Sequence, residues 1–329
     1  MKKIKILATI GPSSFNKDTI KTMDKNGVDI FRINLSHTKI DDLENQIKLI
    51  QNWTKKSICL DSEGAQIRTG HIDSDILELK KNDVLRIGNS NEEKLYFTPK
   101  NIIFKFEKSD LLKVDFNDVV LEVTDVNDDH IITKVISSGT IGKNKAVTCS
   151  RKITLPAITT KDKQAIEIAN NNGVDFFALS FVHTSKDIKE LKKLLNSDIN
   201  IIAKIETKES LNHLDDIISE SNAILIDRGD LSREILLEQI PMVQKQVISY
   251  AKQHNHHVYV ATNLLESMIT NKSPNVAEVN DIFNTLMDGA NGLVLAAETA
   301  IGSNPLLCIN MINKSIIAYN EHKDRKELK

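Results

Sequence analysis

Short apolar runs alternate with segments of helical length over most of this chain. The runs occupy residues 4–10, 30–36, 57–62, 176–182, 200–205, 223–226, 257–261 and 292–295. A helical segment follows each run, as in residues 40–55, where Leu43, Ile47 and Ile50 share one side. Further helices are expected at residues 209–219 and from about residue 236 to residue 254. Eight such units predict an α/β fold of the TIM or (β/α)₈ barrel type. An open doubly wound sheet is the alternative, but no GxGxxG follows the first run.

The pattern changes between about residue 70 and residue 150. Short alternating runs occur at residues 83–88, 94–97, 119–126 and 130–137, with turn signals between them and no long helical pattern. This pattern of short alternating runs predicts a small all-β domain, residues 70–150, inserted after the third strand. The barrel then comprises residues 1–69 and 151–329, with a last helix at residues 305–319 and a frayed end.

Composition narrows the class of partner and the compartment. The 329 residues carry a formal charge of −2, which gives no indication of a nucleic-acid or membrane partner. The first apolar run is too short to span a membrane or to act as a signal peptide. Three widely spaced cysteines are typical of reduced thiols, so we expect a cytoplasmic protein.

Two neighbouring strands end in charged clusters. Residues 201–206 deliver Lys204 and Glu206, and residues 224–230 deliver Arg228 and Asp230. The carboxyl ends of parallel barrel strands lie on one face, so these four side chains are expected to converge there. Two carboxylates can hold a hard cation through oxygen, and nearby cations offset phosphate charge. The pattern therefore predicts a Mg²⁺–phosphate site.

The second and third strands also end in polar residues. Arg32, Asn34 and Ser36 alternate along the second strand, so they share one face, and His37 follows them. Asp61 ends the third strand. Polar residues at this end of a barrel strand are typical of a site rather than of a core.

Seven motifs resemble those of pyruvate kinases in order and spacing: ATIGPSS, FRINLSH, LDSEGAQIRTG, IIAKIE, DRGDL, ATNLLESM and MDGANGLVLAAET. The resemblance covers essentially the whole chain, as the catalytic barrel and its inserted β lid. It stops where the family's C-terminal regulatory domain would begin. The implied activity is phosphoryl transfer from phosphoenolpyruvate to ADP, giving pyruvate and ATP, a glycolytic reaction.

The resemblance assigns roles by position. Glu206 and Asp230 would hold Mg²⁺ or Mn²⁺, Lys204 would stabilise the transferred phosphoryl group, and Arg32 would hold the phosphate. Gly229 and Asp230 offer backbone N–H groups for the substrate carboxylate. Thr262 would close that carboxylate site and help to protonate the enolate. Preorganised charge of this kind is the main catalytic device in phosphoryl transfer.

Other positions resemble the family's monovalent-cation and nucleotide sites. Asn34, Ser36, Asp61 and Ser62 would form a K⁺ cage, and His37 and Arg68 would face the nucleotide. Several residues depart from the family pattern: Glu63 for lysine, Ala65 for the hinge proline, Gln66 for glutamate, Thr154 for aspartate, His183-Thr184 for an Arg-Lys pair, and the additional acid Asp227. The changes at Glu63 and Gln66 argue against K⁺ dependence, and the loss of the Arg-Lys pair predicts weaker ADP binding.

Three hypotheses follow. The first is a phosphotransferase acting between phosphoenolpyruvate and ADP. The second is a related enzyme with the same metal–enolpyruvate core and another phosphoryl acceptor or carbonyl substrate. The third is a non-catalytic sensor or assembly partner that binds phosphoenolpyruvate or metal. A homodimer through barrel helices is an open possibility under each hypothesis.

Overall fold

The chain is described here by a computed structural model covering residues 3–70, 72, 76–89, 93, 95–115, 119–153 and 155–327. Contacts between residues divide the chain into two compact units. The first comprises Met1–Gly64 and Ala157–Lys329, and the second comprises Ala65–Pro156. The second unit thus begins at Ala65 rather than Gly70 and ends at Pro156 rather than Ser150. Thr154 and Lys94 lie outside the described residues.

The first unit opens with three strands and two helices. They are β1 (Lys5–Ile10), α1 (Lys17–Lys25), β2 (Ile30–Asn34), α2 (Ile40–Trp53) and β3 (Ser57–Asp61). Asn16 caps α1, because its side chain accepts a hydrogen bond from the Thr19 N–H at 2.9 Å. Helix α2 buries Leu43, Ile47 and Ile50, the side that the apolar spacing predicts.

The second unit is built from short strands, as its alternating pattern predicts. The strands are β4 (Ile67–Thr69), β5 (Ile76–Leu79), β6 (Val84–Gly88), β7 (Phe97–Thr98), β8 (Leu111–Val114), β9 (Val119–Val126), β10 (His130–Ser137), β11 (Gly139–Gly142) and β12 (Ala146–Cys149), with a 3₁₀ turn at Ile102–Lys105. Seven of them pair in the order β6-β10-β9-β8-β12-β4-β7, and β11 pairs with β5. A separate apolar cluster, including Leu121, Val123 and Ile131, forms the core of this unit.

The first unit then resumes its strand–helix order. Its elements are α3 (Thr160–Asn171), β13 (Phe176–Leu179), α4 (Ser185–Lys192), β14 (Asn200–Ile205), α5 (Lys208–Asn212), α6 (Leu214–Glu220), β15 (Ala223–Asp227), α7 (Arg228–Leu231), α8 (Ile240–Gln253), β16 (His257–Ala261), α9 (Val276–Asp288), β17 (Gly292–Leu295), α10 (Ala297–Ala300) and α11 (Pro305–Glu327). Gly289 ends α9 in the left-handed conformation, with φ at 116°, which a glycine adopts without steric cost.

Eight strands of the first unit close into a parallel barrel. Their order around the barrel is β1-β17-β16-β15-β14-β13-β3-β2, and every pairing between them is parallel. The predicted (β/α)₈ barrel is therefore confirmed, and the open doubly wound sheet is excluded.

Residues along each barrel strand alternate between two environments. On β15, Ile224 and Ile226 belong to the large cluster that also contains helix residues, so they face outward. Ala223 and Leu225 belong to a cluster of residues from the barrel strands, so they face inward. The inward cluster is Leu7, Ile30, Cys59, Ala178, Ile202, Ala223, Leu225, Tyr259, Ala261 and Val294, called the apolar layer below.

Three predicted helix limits are wrong. The segment expected at residues 209–219 is two helices, α5 and α6, which meet at His213. Residues 237–239 form a 3₁₀ turn before α8 begins at Ile240. Helix α11 continues to Glu327 instead of fraying after residue 319. The extension packs on α9, because the centroid of the His322 ring lies 5.5 Å from that of the Phe283 ring, as the Tyr319 ring does at 6.3 Å just before the extension begins.

Within the described part of the chain, no helix has both the length and the apolar character needed to cross a membrane.

Candidate active site

A layer of polar side chains covers the apolar layer at the carboxyl end of the barrel strands. Each member follows an apolar-layer residue by two or four positions, so strand alternation turns it inward as well. The members are all buried, and we call them the charged layer: Thr9, Arg32, Asp61, Ser180, Lys204, Glu206 and Asp227. Buried charges are costly unless they are paired, so their pairing decides what this layer can do.

Lys204 lies at the centre of the charged layer. Its Nζ lies 2.8 Å from Glu206 Oε1, 3.3 Å from Asp61 Oδ1 and 3.5 Å from Asp227 Oδ2. Burial alone would lower the pKa of Lys204, but these three carboxylates together raise it above its ordinary value. Lys204 is therefore a fixed positive charge.

Three carboxylates lie together beside Lys204. Glu206, Asp227 and Asp230 each place one oxygen within 4.8 Å of the others. Glu206 is buried, and its Oε1 accepts no hydrogen bond of good geometry, although Lys204 Nζ is near. Converging carboxylate oxygens are the ligands that Mg²⁺ and Mn²⁺ favour, so this donor set fits a hard divalent cation.

The environment of Glu206 favours its protonated form. Burial raises its pKa to about 8; Asp230 and Asp227 act in the same direction, and Lys204 opposes them. The other oxygen, Oε2, accepts a hydrogen bond from the Phe181 N–H at 2.6 Å. Phe181 has φ at 52°, a left-handed conformation that is strained for a bulky residue. The chain thus orients Glu206 through a strained residue.

Arg32 and Asp61 form a buried pair next to Lys204. Arg32 Nε donates to Asp61 Oδ2 at 2.6 Å, its Nη2 contacts the same oxygen, and its Nη1 donates to Thr9 Oγ1 at 2.7 Å. Burial alone would raise the pKa of Asp61, but Arg32 and Lys204 hold it below its usual range. Asp61 therefore stays ionised, and it fixes the directions of both cations.

The predicted convergence of Arg228 with this group is wrong. The Arg228 Nη1 pairs with Asp281 Oδ2 on α9 at 2.6 Å, and Nε donates to the Thr262 carbonyl at 3.0 Å. The physical reason is strand alternation, because Ala223, Leu225 and Asp227 face inward and the next residue starts α7. Arg228 therefore links the loop after β16, through the Thr262 carbonyl, to Asp281 on α9.

Thr262 and Gly229 lie against each other at the edge of the charged layer. The Gly229 N–H donates to Thr262 Oγ1 at 2.9 Å, and Thr262 Oγ1 lies 3.1 Å from Asp227 Oδ1. Thr262 has φ at 69°, so its backbone is also in the left-handed region. A substrate carboxylate that binds the Gly229 N–H would have to replace this hydroxyl contact.

Most of the residues expected to form a monovalent-cation cage bind protein groups through their side chains. Asn34 Oδ1 accepts from the Ser36 N–H at 2.9 Å, and Ser62 Oγ accepts from the Ser180 N–H at 2.8 Å. Asp61 holds Arg32 and Lys204, as described above. Lys161 also lies nearby: its Nζ donates to the Leu35 carbonyl and lies 3.8 Å from Glu63 Oε1.

The residues expected on the nucleotide side belong to both units of the chain. His37 is exposed in the turn that follows β2. Arg68 lies on β4 in the second unit, where its Nη1 donates to the Asn144 carbonyl at 3.0 Å. Thr154, at a third such position, lies outside the described residues.

Comparison with known proteins supplies the family. The family model described as "Pyruvate kinase, barrel domain" matches residues 1–309 of the chain. The chain belongs to the pyruvate kinase family.

Curated pyruvate kinases from several bacteria are similar over nearly the whole chain. The protein named pyruvate kinase from Thermotoga maritima is 36% identical, over 95% of this chain and 70% of its own length. Those from Bacillus licheniformis and Mycobacterium tuberculosis are 34% and 31% identical, over 98% and 97% of this chain and 59% and 70% of their own lengths. These similarities support a pyruvate kinase-like phosphotransferase.

The site also departs from the pyruvate kinase pattern at His183 and Thr184, and the structure shows what these two residues contact. Thr184, where an Arg-Lys pair would end, is the N-cap of α4: its side chain accepts from the Lys186 N–H at 3.3 Å. Asp187 accepts from the His183 and Thr184 N–H groups at 2.8 and 3.0 Å. These residues therefore have a local structural function at the start of a helix.

Sequence reasoning noted Asp227 only as an additional acid beside Arg228, and it did not mention Ser180. Ser180 Oγ lies 3.1 Å from Asp61 Oδ1 and 3.3 Å from Lys204 Nζ. A count of two residues from Leu225 or from Ala178 would have placed both side chains inside the barrel. The available signal was therefore the strand period, applied to the last residue of β15 and to the residue after β13.

Proposed function

We propose that this chain transfers the phosphoryl group of phosphoenolpyruvate to ADP, taking up one proton and giving pyruvate and ATP. The observation that carries the proposal is the position of buried Lys204 beside the three carboxylates Glu206, Asp227 and Asp230. Phosphoryl transfer needs little covalent chemistry from the protein, and preorganised charge supplies most of the catalysis. A fixed ammonium group next to an acidic cation site provides such charge.

Glu206 and Asp230 would hold a divalent cation, Mg²⁺ or Mn²⁺. Bound there, the cation would supply positive charge to the phosphate and enolate oxygens of the substrate. The donor set fits, because all the nearby ligand atoms are carboxylate oxygens and Glu206 Oε1 accepts no well-formed hydrogen bond.

Lys204 and Arg32 would then neutralise the phosphoryl group as it moves. Lys204 Nζ is held by Glu206, Asp61 and Asp227, so it does not have to reorient during the reaction. Arg32 is fixed by Asp61 and Thr9, and its planar guanidinium can bind phosphate oxygens with its other N–H groups.

Thr262 would help to protonate the enolate that remains after phosphoryl loss. Its hydroxyl oxygen accepts from the Gly229 N–H, and its O–H has two acceptors within reach, Asp227 Oδ1 and the Ala261 carbonyl. K⁺ is not part of the proposal, because the side-chain oxygens of Asn34, Asp61 and Ser62 bind protein groups. Glu63 and Gln66 also depart from the family pattern.

A different phosphoryl acceptor is the second candidate. It is favoured by Thr184, which caps α4 where the family resemblance implies a cation for the nucleotide phosphates. ADP binding would then rest on other groups, or another acceptor would replace ADP at the same metal–enolpyruvate core.

A coupled assay of pyruvate formation tests both candidates. Phosphoenolpyruvate and Mg²⁺ are supplied with ADP or other nucleoside diphosphates, and a Lys204→Met preparation serves as the blank. We expect turnover with ADP well above the blank. If none of the diphosphates supports pyruvate formation but the protein exchanges protons at the methyl group of pyruvate, another acceptor is favoured. If the protein shows no pyruvate formation and no proton exchange, the proposed catalysis is overturned.

A further inference from the structure

Asp227 differs from the other members of the charged layer in what it connects. It is buried with 5% of its surface exposed, at the last position of β15. One oxygen, Oδ1, lies 3.1 Å from Thr262 Oγ1, and the other, Oδ2, lies 3.5 Å from Lys204 Nζ. The same carboxylate offers an oxygen within 4.8 Å of ligand atoms of Glu206 and Asp230.

Removal of a third carboxylate from water is expensive unless something offsets its charge. Lys204 is the cation nearest to Asp227, but Asp61 and Glu206 share it and lie closer. Arg32 pairs with Asp61. Arg233 Nη1 lies 3.1 Å from Asp230 Oδ1. With Glu206 ionised, the four acids Asp61, Glu206, Asp227 and Asp230 therefore face three bases, and a divalent cation would offset the excess negative charge.

We propose that Asp227 is a third carboxylate ligand of the divalent cation in this chain. The inference rests on the proposed function, because it extends the Glu206–Asp230 site by one ligand. Three protein carboxylates instead of two raise the affinity of the site for a cation in the absence of substrate. The chain would then hold its cation before the anionic substrate arrives.

Titration with Mn²⁺ alone tests this proposal without any turnover. Free Mn²⁺ is followed by its electron paramagnetic resonance signal, and heat is measured in parallel by calorimetry. Asp227→Asn removes the charge but keeps the shape and an oxygen that can accept from Thr262. We expect Mn²⁺ to bind this variant at least about 10- to 100-fold more weakly than the original chain, because loss of a group that only supports a metal ligand already costs that much.

Asp175→Asn is the matched control, because it makes the same charge change at the other end of the barrel. Asp175 accepts from the Ile58 N–H at 2.9 Å, where β3 begins. An asparagine can keep that bond, so Mn²⁺ binding by this variant is expected to equal that of the original chain. Glu206→Gln, at a proposed ligand, is expected to weaken binding at least as much as Asp227→Asn does.

The outcomes separate the two proposals. If Glu206→Gln weakens Mn²⁺ binding and Asp227→Asn does not, Asp227 is no ligand, and the proposed function stands. If the original chain does not bind Mn²⁺, or if neither variant weakens binding, the metal site and the proposed function both fail. If Asp227→Asn does not fold, Asp227→Ala is titrated in its place, with the same outcomes.

Discussion

The barrel interior contains two layers of opposite chemistry, built on the same face of the same strands. Leu7, Cys59 and Leu225 belong to the apolar layer, and residues two positions further on, Thr9, Asp61 and Asp227, belong to the charged layer. Both layers are almost fully buried. The apolar layer stabilises the barrel by removing apolar surface from water, whereas the charged layer costs desolvation energy that its ion pairs only partly offset.

The difference indicates which layer exists for stability and which for chemistry. Hydrophobic residues of similar volume often replace a buried ion-pair network without loss of stability. Two strained residues, Phe181 and Thr262, border the charged layer, and strain of this kind is concentrated at functional sites. Substitutions in the two layers should therefore separate stability from activity.

Lys204→Met is expected to have the largest effect. The substitution removes the cation from Glu206, Asp61 and Asp227, so both catalysis and folding should suffer. We expect kcat in the coupled pyruvate assay to fall roughly 10³-fold or more. Thermal unfolding without metal should show a loss of about 3 kcal/mol, because buried acids are left unpaired.

Lys5→Met is the control for this substitution. Lys5 starts β1 at the opposite end of the barrel, where its Nζ lies 5.5 Å from the Phe176 ring centroid. Its replacement should leave kcat within about twofold of the original chain, since a single cation–π contact at that end contributes little. Equal kcat for Lys204→Met and Lys5→Met would contradict a catalytic function of the charged layer.

Glu206→Gln is expected to abolish activity while it stabilises the metal-free protein. The raised pKa of Glu206 means that its ionised form disfavours folding. Glutamine removes that cost, so we expect the free energy of unfolding at pH 8.5, measured by denaturant titration, to rise by about 1–3 kcal/mol.

Glu298→Gln should change stability in the opposite direction. Glu298 is also buried, but its two carboxylate oxygens accept from the Leu265 N–H at 3.2 Å and from the Ala296 N–H at 2.8 Å. An amide group cannot accept at both positions, so this variant should lose about 1–3 kcal/mol. If both variants lose stability, the ionised Glu206 does not destabilise the fold, and the contrast drawn here between Glu206 and Glu298 is wrong.

Leu7→Ala tests the apolar layer. Leu7 is fully buried two residues before Thr9. Its truncation leaves a cavity and should cost about 2–5 kcal/mol in denaturant unfolding. The activity per folded molecule should stay within about threefold of the original chain, because Leu7 lies in the apolar layer and has no polar group to offer to the proposed reaction. A 100-fold loss of kcat with normal stability would break the distinction between the layers.

The dependence of metal binding on pH should be the smallest effect. Glu206 has a pKa raised to about 8, so below that pH it binds a proton that a cation must displace. Metal affinity should therefore rise with pH up to about 8, by at most tenfold per unit, and level off above it. Calorimetry at pH 7 in two buffers of different ionisation enthalpy should detect proton release, and Glu206→Gln should abolish it.

The sequence predicts the barrel well because strand and helix periods repeat eight times. Lys204 and Glu206 were placed correctly at the end of β14, since each lies at an even spacing from the inward Ile202.

Arg228 and the end of α11 show why the rest was missed. The charge of Arg228 suggested a site, but its direction depends on the start of α7 and on Asp281, which lies 53 residues further along the chain. The extension of α11 depends on contacts of Tyr319 and His322 with Phe283 on another helix. Contacts with residues so far away in the sequence cannot be predicted from the residues that neighbour Arg228 or Tyr319.

Diffraction from crystals grown with Mn²⁺ and oxalate tests the central claim most directly. The anomalous signal of Mn²⁺ locates the cation without reference to activity, and oxalate mimics the enolate of pyruvate. The account predicts one strong peak in direct contact with carboxylate oxygens of Glu206 and Asp230, with Lys204 Nζ beside the oxalate. A peak elsewhere, with Glu206 still paired to Lys204 and no cation between the acids, would contradict it.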